Sequence, residues 1–362
     1  MLIASGSARA LPTIEEAARQ ATSAVVIGNG GGGDCLVGIL AGSWLRSVGV
    51  ERILYGGIGC QWWPEPGPAA VDGPTAGGGT DPRNEVGLGG SNGGDHLVRV
   101  IAPDFYDPRS LYGARPLGEF AALVGPEAHS HGRVPHESVL AEHGGGEAFV
   151  LSHLGGSRGA VAGLRAVVEY AGADLLLAVD VGSDCLSTGR EIRPAMTVLA
   201  DHLTFSALLG QDVPSYFCLA GYGADAEMEI EELERNFGDV VRAGGLRGAF
   251  APSSAALDQL ELLQSKAFDP VGNLVVKAGR GEFGLHCVLT ASPWGQVARL
   301  GPASIPVWVF DPQVVLDTVA VDVKRIQETS TLEEAEWIYA GIGRLPESRI
   351  TRSVDFRRTP GR

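Results

Sequence analysis

The chain alternates short runs of continuous apolar residues with longer segments of helical periodicity. Short aliphatic and β-branched runs are typical of strands covered on both faces of a parallel sheet. We predict strands at 23–27, 52–55, 96–102, 148–152, 174–180, 215–220, 248–251 and 307–310. We predict helices at 14–21, 36–48, 117–124, 157–170, 195–209, 225–241, 253–266, 312–326 and 332–340. The alternation predicts an α/β fold, with a Rossmann-like, mostly parallel sheet and helices on both faces in three layers.

The regular pattern extends over most of the chain, and we predict a single α/β domain over 1–345. A glycine-rich loop insertion over 58–95 and an irregular segment over 103–147 interrupt it. Connections of this length are usually functional or disordered. Trp62 and Trp63 in the insertion are compatible with a lid over a ligand or, more commonly, with packing anchors. Residues 346–362 are expected to form a loosely held tail.

The composition narrows the classes of partner. The formal net charge of −15, from 28 basic and 43 acidic residues, argues against nucleic acid. The five cysteines form no C-x-x-C pair, so neither a disulfide framework nor a cysteine zinc site is expected. The sequence has no apolar run long enough for a membrane span or a signal peptide. We therefore expect a cytoplasmic protein without a membrane partner, and we expect it to form a homo-oligomer.

Glycine clusters where the predicted strands end. The chain has 52 glycines, about twice the usual share. In open parallel sheets, ligands bind in the crevice beyond the carboxyl ends of the strands. Five predicted strands lead into glycine-rich segments, namely GNGGGGD, GGIGC, HLGGSRG, DVGSDCLSTG and GYGADAE. We expect the functional site in this crevice.

The first of these loops is the strongest candidate for an anion-binding turn. The backbone N–H groups of a glycine turn and of the following helix N-terminus can cradle a small anion. The residues expected to contact the ligand are Gly28, Asn29, Gly30, Gly31, Gly32, Gly33 and Asp34. The loop satisfies G-x-G-x-x-G, which any run this rich in glycine matches, and it lacks the G-K-[ST] of a P-loop. Asp34 is expected either to cap the helix or to contact a metal or ligand.

A second anion seat is predicted at the start of a later helix. Gly155, Gly156 and Ser157 stand there, although Ser157 could simply cap the helix. Residues 155–159 also fit the G-x-S-x-G nucleophile elbow, but so do residues 89–93 in an irregular loop, so the match has little specificity. His153 directly follows the preceding strand and is the candidate general base.

The segment DVGSDCLSTG has the highest density of candidate catalytic side chains, with two carboxylates and three hydroxyl groups. Asp180 and Asp184 lie four residues apart beyond a buried strand, and Gly182 and Ser183 between them are expected to contact the ligand. The two aspartates are candidates to hold Mg²⁺, to bind a ribose diol, or to act as acid and base.

The last glycine-rich strand end adds a further candidate catalytic acid. Asp225 follows Gly221 and Gly223, which are assigned to ligand binding. If the strands are neighbours, Asp225 and Glu227 point into the same crevice as Asp180. The remaining acids of the predicted helix 225–241 are expected to form a solvated face.

The histidines and Cys35 give weaker signals. The histidines at 129, 131, 136 and 143 match no zinc spacing, and we expect surface residues rather than metal ligands. Cys35 begins the first helix after the glycine loop, and we expect it to be a buried packing residue rather than a reactive thiol.

These motifs resemble an uncharacterised domain-of-unknown-function family with a GxGGGGD loop and a DVGxD loop. The resemblance rests on VVIGNGGGGD, VDVGSDCLSTGRE and GYGADAE, covers most of residues 23–235, and implies no established activity. The glycine-rich first unit and its aspartate-bearing partner loops are also similar to the nucleotide-binding fold of deoxyhypusine synthase and sirtuin-like proteins. DVGSDCLSTG further resembles the Asp-Gly-Gly-Asn-Glu type loop of D-glutamate cyclases, with Ser183 and Asp184 in place of the Asn-Glu pair.

The leading hypothesis is a cytosolic enzyme that binds a small anionic metabolite, such as a nucleotide or an amino-acid derivative. Its aspartates would act through Mg²⁺ or as acid and base in a lyase, cyclase, hydrolase or transferase reaction. One alternative is an NAD-dependent transferase or dehydrogenase, with the glycine loop at the pyrophosphate and Asp180 or Asp184 at the ribose. Another is a non-catalytic nucleotide-binding or scaffold protein. The concentration of acids at the strand ends favours an enzyme over a protein that only binds an anion.

Overall fold

The computed structural model describes residues 11–61, 98–100, 103–130, 132–192, 195, 197–267, 269–288, 297–349 and 354–356. Most of the predicted insertion 58–95 lies outside the described residues. The hypothesis of a lid at Trp62 and Trp63 falls on that part of the chain.

The described elements alternate along the chain as follows. The strands are β1 Ser23–Gly28, β2 Arg52–Ile58, β3 Cys60–Gln61, β4 Val98–Val100, β5 Asp104–Phe105, β6 Arg115–Pro116, β7 Ala121–Val124, β8 Ala148–Leu151, β9 Leu175–Val181, β10 Ser215–Ala220, β11 Leu246–Phe250, β12 Gly284–Cys287, β13 Val297–Leu300, β14 Val307–Phe310 and β15 Val354–Phe356. The α-helices are α1 Ile14–Gln20, α2 Asp34–Ser47, α3 His136–Gly144, α4 Gly156–Ala171, α5 Leu199–Leu209, α6 Ile230–Arg242, α7 Ser254–Gln264, α8 Pro270–Gly279, α9 Pro312–Thr318, α10 Val323–Ile326 and α11 Leu332–Gly341.

Nine strands form one sheet in the order β11-β14-β10-β9-β1-β2-β8-β7-β6. The five central strands, from β10 to β8, are parallel. At one edge β14 is antiparallel to both β10 and β11, and at the other β7 is antiparallel to β8 and β6. The chain builds β1, β2 and β8 towards one side and then β9 and β10 towards the other. The strand order therefore reverses between β1 and β9, which is where open α/β sheets bind their ligands.

Helices cover both faces of the sheet. The core on one face contains residues of α4, α5, α6, α9, α10 and α11, and the core on the other contains residues of α1, α2, α3, α7 and α8. All six residues of the central strand β1 are buried, because both of its faces are covered. The structure confirms the predicted α/β class, with a Rossmann-like, mostly parallel sheet in three layers.

The start of α1 illustrates how local sequence sets an element boundary. The Glu16 N–H donates to Thr13 Oγ1, and the Thr13 N–H donates to the Glu16 carboxylate at 3.0 Å. This reciprocal capping box satisfies backbone donors that a helix start otherwise leaves unpaired. The predicted capping box is confirmed.

The sequence prediction is wrong for the segment 117–124. It contains the end of a hairpin, in which Ala121–Val124 pairs antiparallel with β8 and all four residues are buried. A run of four apolar residues is too short to distinguish a strand from a helical turn by periodicity. The predicted irregular segment 103–147 likewise contains β5, β6, β7 and α3.

Other parts of the sequence prediction also differ from the structure. Helix α6 begins at Ile230 rather than at 225, because Asp225 lies in a turn in which its carboxylate accepts the Glu227 N–H. The predicted helix 312–326 is divided into α9 and α10. Helix α8 and the hairpin of β12 and β13 were not predicted from the sequence.

The start of the predicted tail is held firmly against the domain. The buried Arg344 guanidinium donates to Ser187 Oγ at 3.0 Å and to Asp322 Oδ2 at 3.3 Å. The carboxylate of buried Glu347 accepts the Ala200 N–H at 2.9 Å, in the first turn of α5. The prediction of a loosely held segment from 346 is therefore wrong at Glu347. Among the described residues, no helix has both the length and the apolar character needed to cross a bilayer.

Candidate functional site

The candidate site lies between β1 and β9, at the reversal of the strand order. Gly28 at the end of β1 is in register with Val179 of β9, so Asn29 and Asp180 come next on the two adjacent strands. The Asn29 N–H donates to the Val179 carbonyl oxygen at 2.8 Å. The glycine loop and the DVGSD segment therefore lie side by side.

Three buried aspartates meet in this crevice. Asp34 is the first residue of α2, Asp180 belongs to β9, and Asp201 belongs to α5. Each offers one carboxylate oxygen, and the three oxygens lie within 4.8 Å of one another. Oxygen ligands in such a group are those that Mg²⁺ and similar hard cations prefer. We call Asp34, Asp180 and Asp201 the aspartate triad.

Burial and mutual repulsion disfavour negative charge on the triad. Burial, together with the charges of Asp201 and other acids, raises the pKa values of Asp34 and Asp180 well above their usual range. Burial raises the pKa of Asp201 to about 6. Like charges held in one site raise one another's pKa values unless a cation neutralises them. The triad has the electrostatic character of a cation site.

Further carboxyl groups surround the triad. Asp184 and Glu227 are partly exposed, whereas Asp225 and Glu347 are buried. Burial and the Asp201 and Asp180 charges raise the pKa of Asp184, and burial with the Asp225 and Asp201 charges raises that of Glu227 to about 8. Burial raises the pKa of Glu347 to about 8. The cluster of acids with raised pKa values thus extends from the buried triad to the partly exposed Asp184 and Glu227.

Asp225 is the most firmly oriented of these acids. The Ser183 hydroxyl donates to its carboxylate, with distances of 2.8 Å to Oδ1 and 3.0 Å to Oδ2. Burial raises the pKa of Asp225 to about 6, and the bonds from Ser183 and from the Glu227 N–H oppose this rise. A carboxyl group with a pKa near 6 can exchange a proton near neutral pH.

Glycine is required where backbone approaches Asp225. Gly182 has φ +116°, and a Cβ there would overlap the Asp225 carboxyl group. The Gly182 N–H donates to the Ala220 carbonyl oxygen at 3.0 Å, and the Gly223 N–H donates to Gly182 O at 2.9 Å. Gly221 and Gly223 also have positive φ, at +58° and +72°. The predicted ligand residues Gly182, Ser183, Gly221 and Gly223 thus hold Asp225 beside the triad.

Acidic side chains contact the glycine loop at Gly30 and Gly33, where the sequence predicted a bound anion. The Gly30 N–H donates to Asp34 Oδ2 at 2.8 Å, and the Gly32 N–H donates to the Cys60 carbonyl oxygen at 3.2 Å. A Cβ on Gly33 would overlap the carboxylate of Asp269, which caps α8. The N-cap of α2 is Gly33, and Asp34 is the first residue of the helix. The prediction that Asp34 caps the helix is therefore wrong. Gly31, Gly32 and Gly33 are partly exposed and form the outer rim of the crevice.

Two side chains in the crevice lack hydrogen bonds from the described residues. Neither carboxylate oxygen of Asp180 and neither polar side-chain atom of Asn29 has a hydrogen-bond partner there, and both side chains are 0 % exposed. A buried polar group without a partner costs roughly 1–3 kcal/mol. A proton shared between Asp180 and Asp201, whose carboxyl groups interact, or a cation bound between them would each remove part of this cost.

The second predicted anion seat is already occupied by protein. The Ser157 N–H donates to Thr329 Oγ1 at 3.1 Å, and a Cβ on Gly156 would overlap the backbone of 329–331. A Cβ on Gly155 would overlap the Phe120 ring, and Ser157 Oγ pairs with Ser206 Oγ. Contacts with other parts of the chain therefore fill the predicted anion seat at Gly155, Gly156 and Ser157.

His153 is buried against α5. Its Nε2 lies 3.1 Å from Thr204 Oγ1, and burial lowers its pKa to about 3. An imidazole with this pKa is a weak proton acceptor near neutral pH. Asp225 is better suited to the role of general base.

The sequence reasoning missed Asp201, Glu347 and His136. Every residue from Leu199 to Leu208 of α5 is buried, so an aspartate in this otherwise apolar helix was a usable signal. His136 was expected at the surface, but it is buried and its Nδ1 lies 2.7 Å from the Gly32 carbonyl oxygen. That expectation is wrong for His136, because α3 packs beside the glycine loop.

Comparisons with known proteins bear on the family. No curated protein and no solved structure matches the chain. The model of the family described as "Protein of unknown function (DUF1152)" matches residues 103–353, which include Asp180, Asp201, Asp225 and Glu347 but not the glycine loop. The chain belongs to this family.

Proposed function

We propose that the protein is a divalent-cation-dependent enzyme acting on a small anionic metabolite, such as a nucleotide or an amino-acid derivative. The observation that carries the proposal is the aspartate triad at the switch point of a Rossmann-like sheet. Its three oxygens converge at cation-binding spacing, and the charges that act on Asp34 and Asp180 include other carboxylates. Mg²⁺ is the proposed cation, since all three ligands are carboxylate oxygens.

The cation would explain how so acidic a crevice takes an anion. An anionic group alone would be repelled by the carboxylates that are ionised near neutral pH, Asp201 and Asp225, whose pKa values are about 6. A bound divalent cation would neutralise part of this charge, polarise a carbonyl or phosphoryl oxygen and lower the pKa of bound water. The rim formed by Gly31, Gly32 and Gly33 would then contact the same ligand.

Asp225 is the proposed general base. Its carboxylate is oriented by the Ser183 hydroxyl, and its pKa of about 6 leaves it ionised at pH 7 while still able to accept a proton. The reaction class that fits is proton transfer or hydrolysis at a polarised oxygen-bearing group.

The alternative of NAD binding has less support. The acid that binds the ribose in dinucleotide-binding sheets follows the second strand. Here β2 is followed by Gly59, Cys60 and Gln61, which carry no acid. The Gly30 N–H, which could face a pyrophosphate, already donates to Asp34.

Binding of Mn²⁺ and Mg²⁺, measured by isothermal titration calorimetry, tests the cation part of the proposal. We expect saturable binding near one equivalent, and a loss of about tenfold or more in affinity for Asp180→Asn. Asp212→Asn is the matched control, because the Asp212 side chain is 93 % exposed. Equal binding by wild type and Asp180→Asn would contradict the proposal.

A thermal-shift screen of nucleotides, NAD(H) and amino acids, with and without Mg²⁺, tests the substrate class. A ligand that binds only the folded state raises its apparent stability. We expect shifts that require Mg²⁺. A shift with NAD that persists in EDTA would instead support the NAD alternative.

A further inference from the structure

Asn29 follows the end of β1 and lies beside Asp180 of β9, one step beyond the pair of Gly28 and Val179. Its main chain is fixed by the bond from its N–H to the Val179 carbonyl oxygen. Its side chain is 0 % exposed, and both of its polar atoms lack hydrogen-bond partners among the described residues. An amide that is held so firmly and left unsatisfied is costly unless a bound group pairs with it.

Asp180, Asp201 and Asp34 all lie close to the segment of Asn29 and Gly30. Register places Asn29 beside Asp180, one step beyond the pair of Gly28 and Val179. A Cβ on the next residue, Gly30, would overlap Asp201 Oδ1 and lie 2.9 Å from Asp34 Oδ2. The Asn29 amide also lies near Asp201 and lowers the pKa of that carboxyl group, although neither polar atom of Asn29 makes a hydrogen bond of normal geometry to a described residue. Asp180 therefore lies beside Asn29 on the adjacent strand, and Asp34 and Asp201 lie against the next residue, Gly30.

We propose that Asn29 Oδ1 is a fourth oxygen ligand of the divalent cation held by Asp34, Asp180 and Asp201. The inference rests on the proposed function, because it assumes that the triad binds a cation. Amide oxygens are common ligands of hard cations alongside carboxylates. A neutral fourth ligand adds coordination without adding repulsion to a site already crowded with negative charge.

The proposal predicts that Asn29 favours binding at the expense of stability in the cation-free protein. In Asn29→Leu, a side chain of similar size removes the unsatisfied amide. We expect its melting temperature in EDTA to equal that of wild type or to exceed it by up to about 3 °C. We expect its dissociation constant for Mn²⁺ to rise about tenfold or more.

Asn236→Leu is the matched control for stability. Asn236 is also buried, but its amide donates to Leu186 O at 2.9 Å and to Glu191 Oε1 at 2.7 Å. Removing a satisfied amide leaves its partners unpaired, so this variant is expected to melt at a lower temperature in EDTA. A similar drop in Asn29→Leu would show that the Asn29 amide has a structural role, and it would overturn the inference.

Asn29→Asp keeps the experiment decisive if the leucine variant does not fold. Its carboxylate supplies an oxygen ligand but adds a charge, so we expect Mn²⁺ binding to persist and the melting temperature in EDTA at pH 8 to fall. Loss of Mn²⁺ binding in Asn29→Asp would count against the inference.

The experiment separates this inference from the proposed function. If wild type binds Mn²⁺ and Asp180→Asn does not, while Asn29→Leu binds as wild type does, only the role of Asn29 fails. If wild type itself does not bind Mn²⁺ or Mg²⁺, the proposed function fails, and the inference fails with it.

Discussion

Gly30 lies so close to Asp201 that a single methyl group on its Cα would overlap the Oδ1 atom of the aspartate. The same methyl group would lie 2.9 Å from Asp34 Oδ2. The absence of a side chain at Gly30 therefore has a second role besides allowing the chain to turn. It lets the backbone between β1 and α2 pass beside two carboxylates of the triad.

Gly30→Ala should separate the carboxylates of the triad. The new Cβ has to displace Asp201 or Asp34, and we expect the affinity for Mn²⁺ to fall by at least about tenfold. Overpacking of this kind typically costs about 1–3 kcal/mol of unfolding free energy. Calorimetric titration and urea unfolding measure the two effects.

Gly341→Ala is the control for this substitution. It lies at the end of α11, and a Cβ there has nothing within 4 Å among the described residues. Alanine should raise stability by up to about 1 kcal/mol and leave Mn²⁺ affinity unchanged. Unchanged Mn²⁺ binding by Gly30→Ala would show that the triad tolerates the displacement.

The stability of the cation-free protein should fall as the pH rises from about 5 to 8. The folded-state pKa values are about 6 for Asp201 and Asp225 and about 8 for Glu227 and Glu347, above the ordinary values of 3.8 and 4.5. Over this interval the folded state binds more protons than the unfolded state, so the unfolding free energy decreases with pH. The contribution is fully present below about pH 4 and is lost through the folded pKa values. A melting temperature in EDTA that rises over this interval would contradict the assignment.

A divalent cation should reverse this pH dependence. It competes with protons for the same carboxylates, so its affinity and its stabilising effect should increase between about pH 5 and 8. Melting curves with saturating Mg²⁺, compared with curves in EDTA, measure the difference. A Mg²⁺ shift that is independent of pH would place the ion away from these acids.

Ser183→Ala should destabilise the protein more at pH 8 than at pH 5. The Ser183 hydroxyl donates to both oxygens of buried Asp225, and the ionised carboxylate needs this bond more than the protonated form does. We expect a loss of roughly 1–3 kcal/mol at pH 8, measured by urea unfolding. Ser47→Ala is the control, because the Ser47 hydroxyl bonds only locally to Trp44 O on an exposed part of α2. An equal loss at both pH values would argue that Asp225 does not ionise in the folded state.

Glu347→Ala and Glu347→Gln should differ in stability. The alanine variant leaves the buried Ala200 N–H without its acceptor, which costs roughly 1–3 kcal/mol, whereas glutamine retains an acceptor oxygen. Because α5 also carries Asp201, we expect weaker Mn²⁺ binding in Glu347→Ala than in Glu347→Gln. Equal melting temperatures for the two variants would show that the bond to Ala200 is not needed.

The parts of the fold that depend on local sequence could be predicted. The capping box at Thr13 and the buried run of β1 each depend on residues adjacent along the chain. The sequence also predicted that the glycine loop, Asp180 and Asp225 lie near one another, because parallel strands present their carboxyl ends at one edge.

The parts that depend on distant packing could not be predicted in the same way. Asp201 enters the site because α5 packs against β9, and no loop motif marks it. Ala121–Val124 is a strand only because β8 lies beside it, and its apolar run is too short to show a period. The role of Glu347 depends on a bond to Ala200 across 147 positions of the chain.

That long-range bond has a consequence for synthesis on the ribosome. The chain emerges from its N-terminal end, so the glycine loop and all five parallel strands are exposed before Glu347 is made. Until then the first turn of α5 lacks a partner for the Ala200 N–H, and Asp201 is carried on a helix that is not yet secured. We expect a nascent chain to bind the proposed cation firmly only after residue 347 has left the exit tunnel.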